Sequence, residues 1–549
     1  MSGSSTSCTR AAIPLRRRPP KRSTMPTYRA IVLTALLAGW GSASALAHAK
    51  AAASPAPAPS ASPAKFWTTA HTVTTHGSVT VGGRVIHYTA KAGTLILRDK
   101  ADKPTGEMFY VAYFKNGAKP DHRPLAFVYN GGPGGSSAPL HIGGFGPVRV
   151  RTLSHAHTPA APYQLVNNAY SLLDVSDLVF VDAMGTGFSR IIDKADGGVG
   201  TPKMFYGVDA DGKTFAQFIT DFLSQYGRWN SPKYLLGESY GTTRSAVVAG
   251  ILANSDNIDL NGVILLSTIL NFDTSIDQAN LNPGVNLPYA LALPSYAAVA
   301  WYHKRLAQPP PRLHPWLDQV QAWAMGPYLA ALERGAALPR AEARAIATQM
   351  AQYTGLSVHY LLKADLRVTG PQFEQELLAE EGKTTGRLDA RFSGPTLDPL
   401  AEYAEYDPLI SGIGSAYVSA ANQYLRDTLH FGAGHRYVFL SGSIWNEWKW
   451  LHTPPGAGTP APVTPNVLPD LALAMTLDPD LKVMVNAGYF DLATPYYAAV
   501  YQMRQLPMQP QLQKNIEFRF YHTGHMIYVR PQGLAHLHEN VAQFIRQTE

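Results

Sequence analysis

Cysteine is almost missing from these 549 residues: the single one is Cys8. A chain with one cysteine has no internal disulfide framework and, past that position, no thiol nucleophile or thiolate metal site. Acidic residues are missing from the first 49 positions, whereas Arg10, Arg16, Arg17, Arg18, Lys21, Arg22 and Arg29 all lie there. These seven charges make up the whole formal excess of +7, leaving 39 basic against 39 acidic residues from Lys50 onward. A neutral body excludes the basic footprint of a nucleic-acid partner. Also missing are the H-E-x-x-H, P-loop and G-x-G-x-x-G patterns, so no metal and no cofactor is expected. No repeated period marks a solenoid.

At the N-terminus, the basic lead runs into "AIVLTALLAGWGSASALAHA", an apolar segment that ends in small residues. This is the layout of a signal peptide over residues 1–49, with cleavage after Ala47 or Ala49 and a start at Met1 or Met25. The other reading is a single membrane anchor, against which the run is short and rich in Gly and Ser. Residues 50–64, mostly Pro and Ala, read as an extended tether. The expected product is exported, periplasmic or secreted, with no stable membrane insertion after cleavage.

From residue 65 to 549 the pattern is that of one α/β domain. "GSVTVGGRVIHYTA" predicts a hairpin about Gly82-Gly83, and "GEMFYVAYFKNG" its neighbour. "PLAFVYN", "DLVFVD", "KYLLGES", "NGVILLS", "LKVMVNAG" and "NIEFRFY" are short apolar runs typical of buried parallel strands. Between two of them Phe215, Phe218, Ile219, Phe222, Leu223 and Tyr226 recur at helical spacing after Asp209 and Asp211, which can cap that helix. Such alternation predicts a mostly parallel sheet covered by helices on both faces. About 200 residues, 273–480, carry largely helical patterns that a sheet core does not need, and predict a cap insertion.

Within this frame "KYLLGESYGTTRS" places Ser239 between Gly237 and Gly241, after a strand and before a helix. A strand, a G-x-S-x-G turn and a helix form the nucleophile elbow of an α/β-hydrolase. A serine needs a base, and the base a carboxylate to orient it. Asp491, after "LKVMVNAGYF", and His525, in "YHTGHMIYV", follow in the required order, each just past a late strand. Taken singly, Asp491 could be a turn residue and His525 a loop histidine, with His522 as a rival. The loop "YNGGPGGSSA" can bring backbone N–H groups close to a developing oxyanion. His155 and His157, and His536 and His538, are weaker candidates; the last two face apart on a helix.

In order and spacing, "NGGPGGSS", "FVDAMGTGFS", "GESYG", "GYFDLATP" and "GHM" resemble the motifs of the serine carboxypeptidases, here a bacterial-type member. The resemblance runs from Asn130 to about Tyr528 and implies Ser239 as nucleophile, His525 as general base and Asp491 as its orienter. It implies an oxyanion hole from the N–H groups of Gly132 and Tyr240. It further implies that Asn130, the Gly131 N–H and Glu238 bind the free carboxylate of a peptide substrate, with Glu238 protonated when it does so. Two positions depart from the family pattern: Gly144 stands at the place of a second glutamate, and Gly135 at that of a cysteine. Without the second acid, activity is expected to extend closer to neutral pH. Two alternatives stay open. One keeps the fold and triad in an esterase, acyltransferase or iminopeptidase; the other is a catalytically silent peptide-binding protein.

Overall fold

A computed structural model describes residues 70–549. The predicted leader, Cys8 and the tether lie outside the described residues. The first three strands, β1 (Thr72–Val81), β2 (Arg84–Arg98) and β3 (Pro104–Lys115), form an antiparallel meander. Its first corner is the predicted Gly82-Gly83 turn, which pairs Val81 with Arg84. The strands that continue the main sheet are β4 (Leu125–Tyr129), β5 (Asp177–Val181), β6 (Lys233–Glu238), β7 (Gly262–Leu266), β8 (Lys482–Gly488) and β9 (Ile516–Tyr521), and a two-residue strand, Arg190–Ile191, pairs with β3 off this path. The spatial order is β1-β2-β3-β5-β4-β6-β7-β8-β9, and every pair from β5 onward is parallel. Every residue of β4, β5 and β7 is buried, which is why these strands read as unbroken apolar runs rather than alternating ones.

Helices cover both faces. On one side α1 (Val208–Tyr226) and α2 (Tyr240–Ile251) pack with α7 (Leu468–Leu477) and α8 (Tyr496–Arg504). Phe215, Phe218, Ile219, Phe222 and Leu223 of α1 supply the buried stripe that their spacing predicts. On the other side α9 (Pro531–Thr548) buries Leu534, Leu537, Val541 and Ile545. Asp209 and Asp211 do not cap α1. Gly207 holds the N-cap position with no side-chain cap bond, and the two acids lie in the first turn with their carboxylates turned to other partners, Asp209 to His452. Asp211 grips Arg244 of α2, whose Nε lies 2.7 Å from Asp211 Oδ2.

Between β7 and β8, α3 (Leu287–Tyr302), α4 (Leu313–Trp323) and α5 (Arg340–Thr354) enclose a separate apolar cluster. That cluster takes in Tyr489, Phe490, Leu492 and Tyr496, so this part of the insertion sits on the segment that follows β8. The fourth helix, α6 (Pro408–Gln423), joins the core on the α9 side. The insertion's last helix, α7, packs beside α2.

Sheet register determines where the loops meet. Tyr129 of β4 pairs with Gly237 of β6, Glu238 with Leu266 of β7, Leu266 with Asn486 of β8, and Gly488 with Tyr521 of β9. All these strands end on one edge, and β4 is the point at which the strand order reverses. A crevice outside the carboxyl ends at such a switch point is where open α/β sheets bind ligands.

The segment before α7 is held by a buried histidine. His452 Nδ1 lies 2.6 Å from Asp209 Oδ1, and its Nε2 lies 2.8 Å from Asp470 Oδ2. Burial alone would lower its pKa, but hydrogen bonds to the two carboxylates push it up to about 9 from the ordinary 6.5. Folding therefore favours the protonated ring: its stabilisation is complete below about pH 6.5 and is lost as pH rises through about 9. The wild-type melting temperature is expected to exceed that of His452→Gln most at pH 6, and the gap to close between pH 6.5 and 9.5. A gap independent of pH would show that the ring is neutral in the folded protein.

Candidate active site

Ser239 follows the last residue of β6 directly and precedes α2, with φ 60° and ψ −129°. A serine at positive φ is strained. From Tyr234 to Gly250 every residue is buried except Ser239. The turn thus raises one side chain out of an otherwise closed structure. Its backbone N–H donates to the Leu266 carbonyl at 2.9 Å, which ties the turn to the end of β7. The tightness of the turn requires glycine before it, because a Cβ on Gly237 would lie 2.2 Å from the Gly241 carbonyl oxygen. A Cβ on Gly131 would lie 2.5 Å from the Tyr240 nitrogen, so the glycine loop after β4 touches the nucleophile turn backbone to backbone.

Asp491 and His525 are brought together: Oδ2 of the acid lies 2.7 Å from Nδ1 of the ring. Both are buried, Asp491 completely. The carboxylate is saturated by further donors. Oδ1 accepts from the N–H groups of Ala493 and Thr494, both at 2.9 Å, and Oδ2 from the Thr494 hydroxyl at 2.7 Å. Burial disfavours the charged imidazolium, but the charge of Asp491 and its hydrogen bond outweigh that and hold the ring's pKa above the ordinary histidine value. His522, the rival, packs beside Tyr489 at a centroid distance of 5.4 Å, and its carbonyl accepts from Arg530. No hydrogen bond joins Ser239 to His525 among the described residues. The two are linked through the end of β7, where Ser267, next after the acceptor for Ser239, donates to the His525 carbonyl at 2.7 Å.

On the other side of Ser239, register sets Asn130 against Glu238. Asn130 Nδ2 donates to Glu238 Oε1 at 2.6 Å, while its Oδ1 accepts from the Leu140 N–H at 3.0 Å. Arg244, buried, donates to the Asn130 carbonyl at 2.8 Å and packs 4.2 Å from the Phe215 ring centroid. Glu238 is 3% exposed, and burial pushes its pKa up to about 7 against the lowering pull of His525, Tyr528 and Asn130. Oε2 of Glu238 is buried with no hydrogen-bond partner. Of the four candidate histidines elsewhere, His155 and His157 are exposed, and His538 lies 3.2 Å from Asp174 at the far helix α9.

Several residues at the site were not singled out by the sequence. Thr494, within "GYFDLATP", bonds Asp491, and Ser267, outside any motif, bonds the His525 carbonyl. The segment Arg387–Ala390 of the insertion lies across both loops: the Arg387 carbonyl accepts from Leu492, the Leu388 carbonyl from His525 at 2.7 Å, and Ala390 donates to Phe490. Arg387 in turn grips Asp277. Beside Ser239, Tyr240 meets the edges of Trp448 and Trp450, and Trp450 meets Phe272 and Trp445. Asp389 of the Arg387–Ala390 strap packs where a side chain on Gly524 would lie.

A parallel sheet in this order with a strained serine turn after β6 defines an α/β-hydrolase. Residues 88–292 match the serine carboxypeptidase family. Over 182 residues the chain is 28% identical to "Serine carboxypeptidase-like 36" of Arabidopsis thaliana, covering 32% of this chain and 34% of the other. Over 176 residues it is 27% identical to the pheromone-processing carboxypeptidase kex1 of Schizosaccharomyces japonicus, covering 32% of this chain and 30% of the other. The chain thus spans about a third of the length of these curated relatives. Both are eukaryotic, so they give no support to bacterial-type membership. Among solved structures, a proline iminopeptidase from Mycobacterium smegmatis aligns at 14% identity and a TM-score of 0.33, over 86% of this chain and 98% of that one. A carboxyl esterase from Bacillus coagulans aligns at 13% identity and a TM-score of 0.33, over 83% and 97%. The fold assignment here rests on strand order, not on those two alignments.

The strap yields a test. A Cβ on Gly524 would lie 2.4 Å from Asp389 Cβ, so Gly524→Ala must force the histidine loop and the strap apart. Hydrolysis of a chromogenic ester is expected to fall by about 100-fold with the circular dichroism spectrum retained. Full activity in the variant would show that the strap does not position His525.

Proposed function

We propose that this chain is an exported, bacterial-type serine carboxypeptidase that releases C-terminal amino acids from peptides through an acyl-enzyme. The observation that carries the reading is the buried Glu238–Asn130 pair immediately beside the raised Ser239. An esterase needs no buried acid with a free oxygen at that position; recognition of a substrate carboxylate does. Export is supported by the leader-like N-terminus. No helix of the described residues is long and apolar enough to cross a membrane.

In this reading the free carboxylate of the peptide lies against Asn130, the Gly131 N–H and protonated Glu238, which places the last peptide bond over Ser239. Ser239 Oγ attacks the carbonyl carbon while His525 takes its proton, and Asp491 stabilises the imidazolium that forms. The oxyanion is received by the N–H groups of Gly132 and Tyr240, the second of which is an unbonded donor at the start of α2. Collapse breaks the C–N bond, and His525 returns the proton to the departing amino acid. A water then loses its proton to His525, attacks the ester carbon and regenerates Ser239 with release of the shortened peptide.

The reading fixes a pH profile. His525 must be neutral to act as base, so activity rises with pH through a value above the ordinary histidine 6.5. Glu238 must be protonated to receive a carboxylate, so binding of a free acid is lost as pH rises through about 7. For an N-blocked peptide acid, kcat/KM is expected to be bell-shaped with its maximum near neutrality; for the matching ester the alkaline limb should be absent. At pH 6.5 the peptide acid should be cleaved roughly 10- to 100-fold better than its C-terminal amide, and Ser239→Ala should lose at least about 10⁴-fold. Equal cleavage of simple esters with no peptide release would move the chain to the esterase, acyltransferase or iminopeptidase reading. Failure of an active-site phosphonate to label Ser239 would instead make it a silent binding protein.

A further inference from the structure

Glu238 has two oxygens in unlike surroundings. Oε1 accepts from Asn130 Nδ2 at 2.6 Å and from the Tyr528 hydroxyl at 3.2 Å. Asn130 cannot turn its amide round, because its Oδ1 is held by the Leu140 N–H. Oε2 is buried without a partner. Two donors on one oxygen make that oxygen an acceptor in either protonation state, so a proton on the carboxyl belongs on the other. Tyr528 is buried, and its ring lies 3.6 Å from where a Cβ on Gly144 would stand. Its side chain thus fills the space beside the position at which the family pattern has a second acid.

We propose that Tyr528 is a positioning residue for substrate recognition: its hydroxyl fixes the Glu238 carboxyl so that Oε2 presents its proton to the terminal carboxylate of the peptide. This inference rests on the carboxypeptidase reading and deepens it. The groups that act on Glu238 are His525, Tyr528, Asn130 and Asp491. Tyr417, on α6, also feels the Glu238 charge and is itself influenced by Arg149. Only Asn130 and Tyr528 are bonded to the carboxyl. Both stabilise its ionised form, opposing the upward push of burial. Removing the hydroxyl therefore has two effects. The carboxyl is less firmly oriented, so binding of the free acid weakens. It also keeps its proton to higher pH, so the alkaline limb of binding moves up.

The experiment compares wild type with Tyr528→Phe, Glu238→Gln and the double variant, each with an N-blocked peptide acid and the matching ester, from pH 5 to 9. In Tyr528→Phe, KM for the acid below pH 6 should rise roughly three- to tenfold, and the rise of KM at alkaline pH should begin about 0.5 to 1 unit higher than in wild type. In Glu238→Gln the amide donates at every pH, so the alkaline limb should vanish, and adding Tyr528→Phe should restore none of it. An unmoved limb in Tyr528→Phe, with kcat lowered equally for acid and ester, would overturn the inference and make Tyr528 a packing residue. Failure of the wild type to prefer the acid to its amide would overturn the carboxypeptidase reading, and this inference with it.

Discussion

The positive-φ turn at Ser239 exists because other backbones lie close enough to hold it. Its own N–H is anchored on β7, Gly237 leaves room for the Gly241 carbonyl, and Gly131 lets the loop after β4 touch the first turn of α2. A strained residue persists only where its surroundings over-determine it. Here the constraint is the sheet itself, since β4, β6 and β7 are adjacent and in fixed register. The same register that sustains the strain also brings Asn130 to Glu238 and Ser267 to the histidine loop. The raised Ser239, the Asn130–Glu238 pair and the support of the His525 loop are consequences of one arrangement of strand ends.

A buried ion pair extends this constraint to the helices. Arg244, fully enclosed, bonds Asp211 of α1 and the Asn130 carbonyl of the glycine loop, and lies between aromatic faces. A buried cation is costly unless every donor is used, and removing one partner of such a pair costs about 3–5 kcal/mol. Arg244 thus joins the nucleophile helix to the loop opposite it through groups that cannot separate cheaply. His452 does similar work on the outer side, holding the segment that carries Trp448 and Trp450 toward Tyr240.

The strands were legible because burial on both faces leaves nothing but apolar residues, and the elbow because glycine spacing is dictated by contact distances. Asp491 and His525 could be found because the fold places them after particular strands. What could not be read depends on pairs distant in sequence. Asp209 and Asp211 look like helix caps until Arg244 and His452 are seen to lie beside them. Ser267 carries an ordinary polar side chain at an ordinary position, and Thr494, though inside "GYFDLATP", shows its bond to Asp491 only in the fold. The strap Arg387–Ala390 works chiefly through its backbone, which has no sequence signature. Tyr528 is one of 28 tyrosines, and only its 3.2 Å approach to Glu238 distinguishes it.

The two central titrating groups need opposite things of a shared field. On the proposed function His525 acts only when neutral, and Glu238 receives a carboxylate only when protonated, yet each charge favours the other: ionised Glu238 raises the histidine pKa, and the imidazolium lowers that of the acid. In the empty site, the state with both groups charged and the state with both neutral carry the same net charge and compete as a coupled pair. An arriving carboxylate breaks that tie. It repels ionised Glu238 and is stabilised by the proton on Oε2, so binding selects the protonated acid. With Glu238 neutral, the bound carboxylate takes its place as the negative charge near the imidazolium, so the counter-charge beside His525 is exchanged and not removed. On the proposed function, recognition by Glu238 therefore leaves the base to be set by Asp491 and by pH, and the two groups share only the window in which the acid is protonated and the ring is neutral.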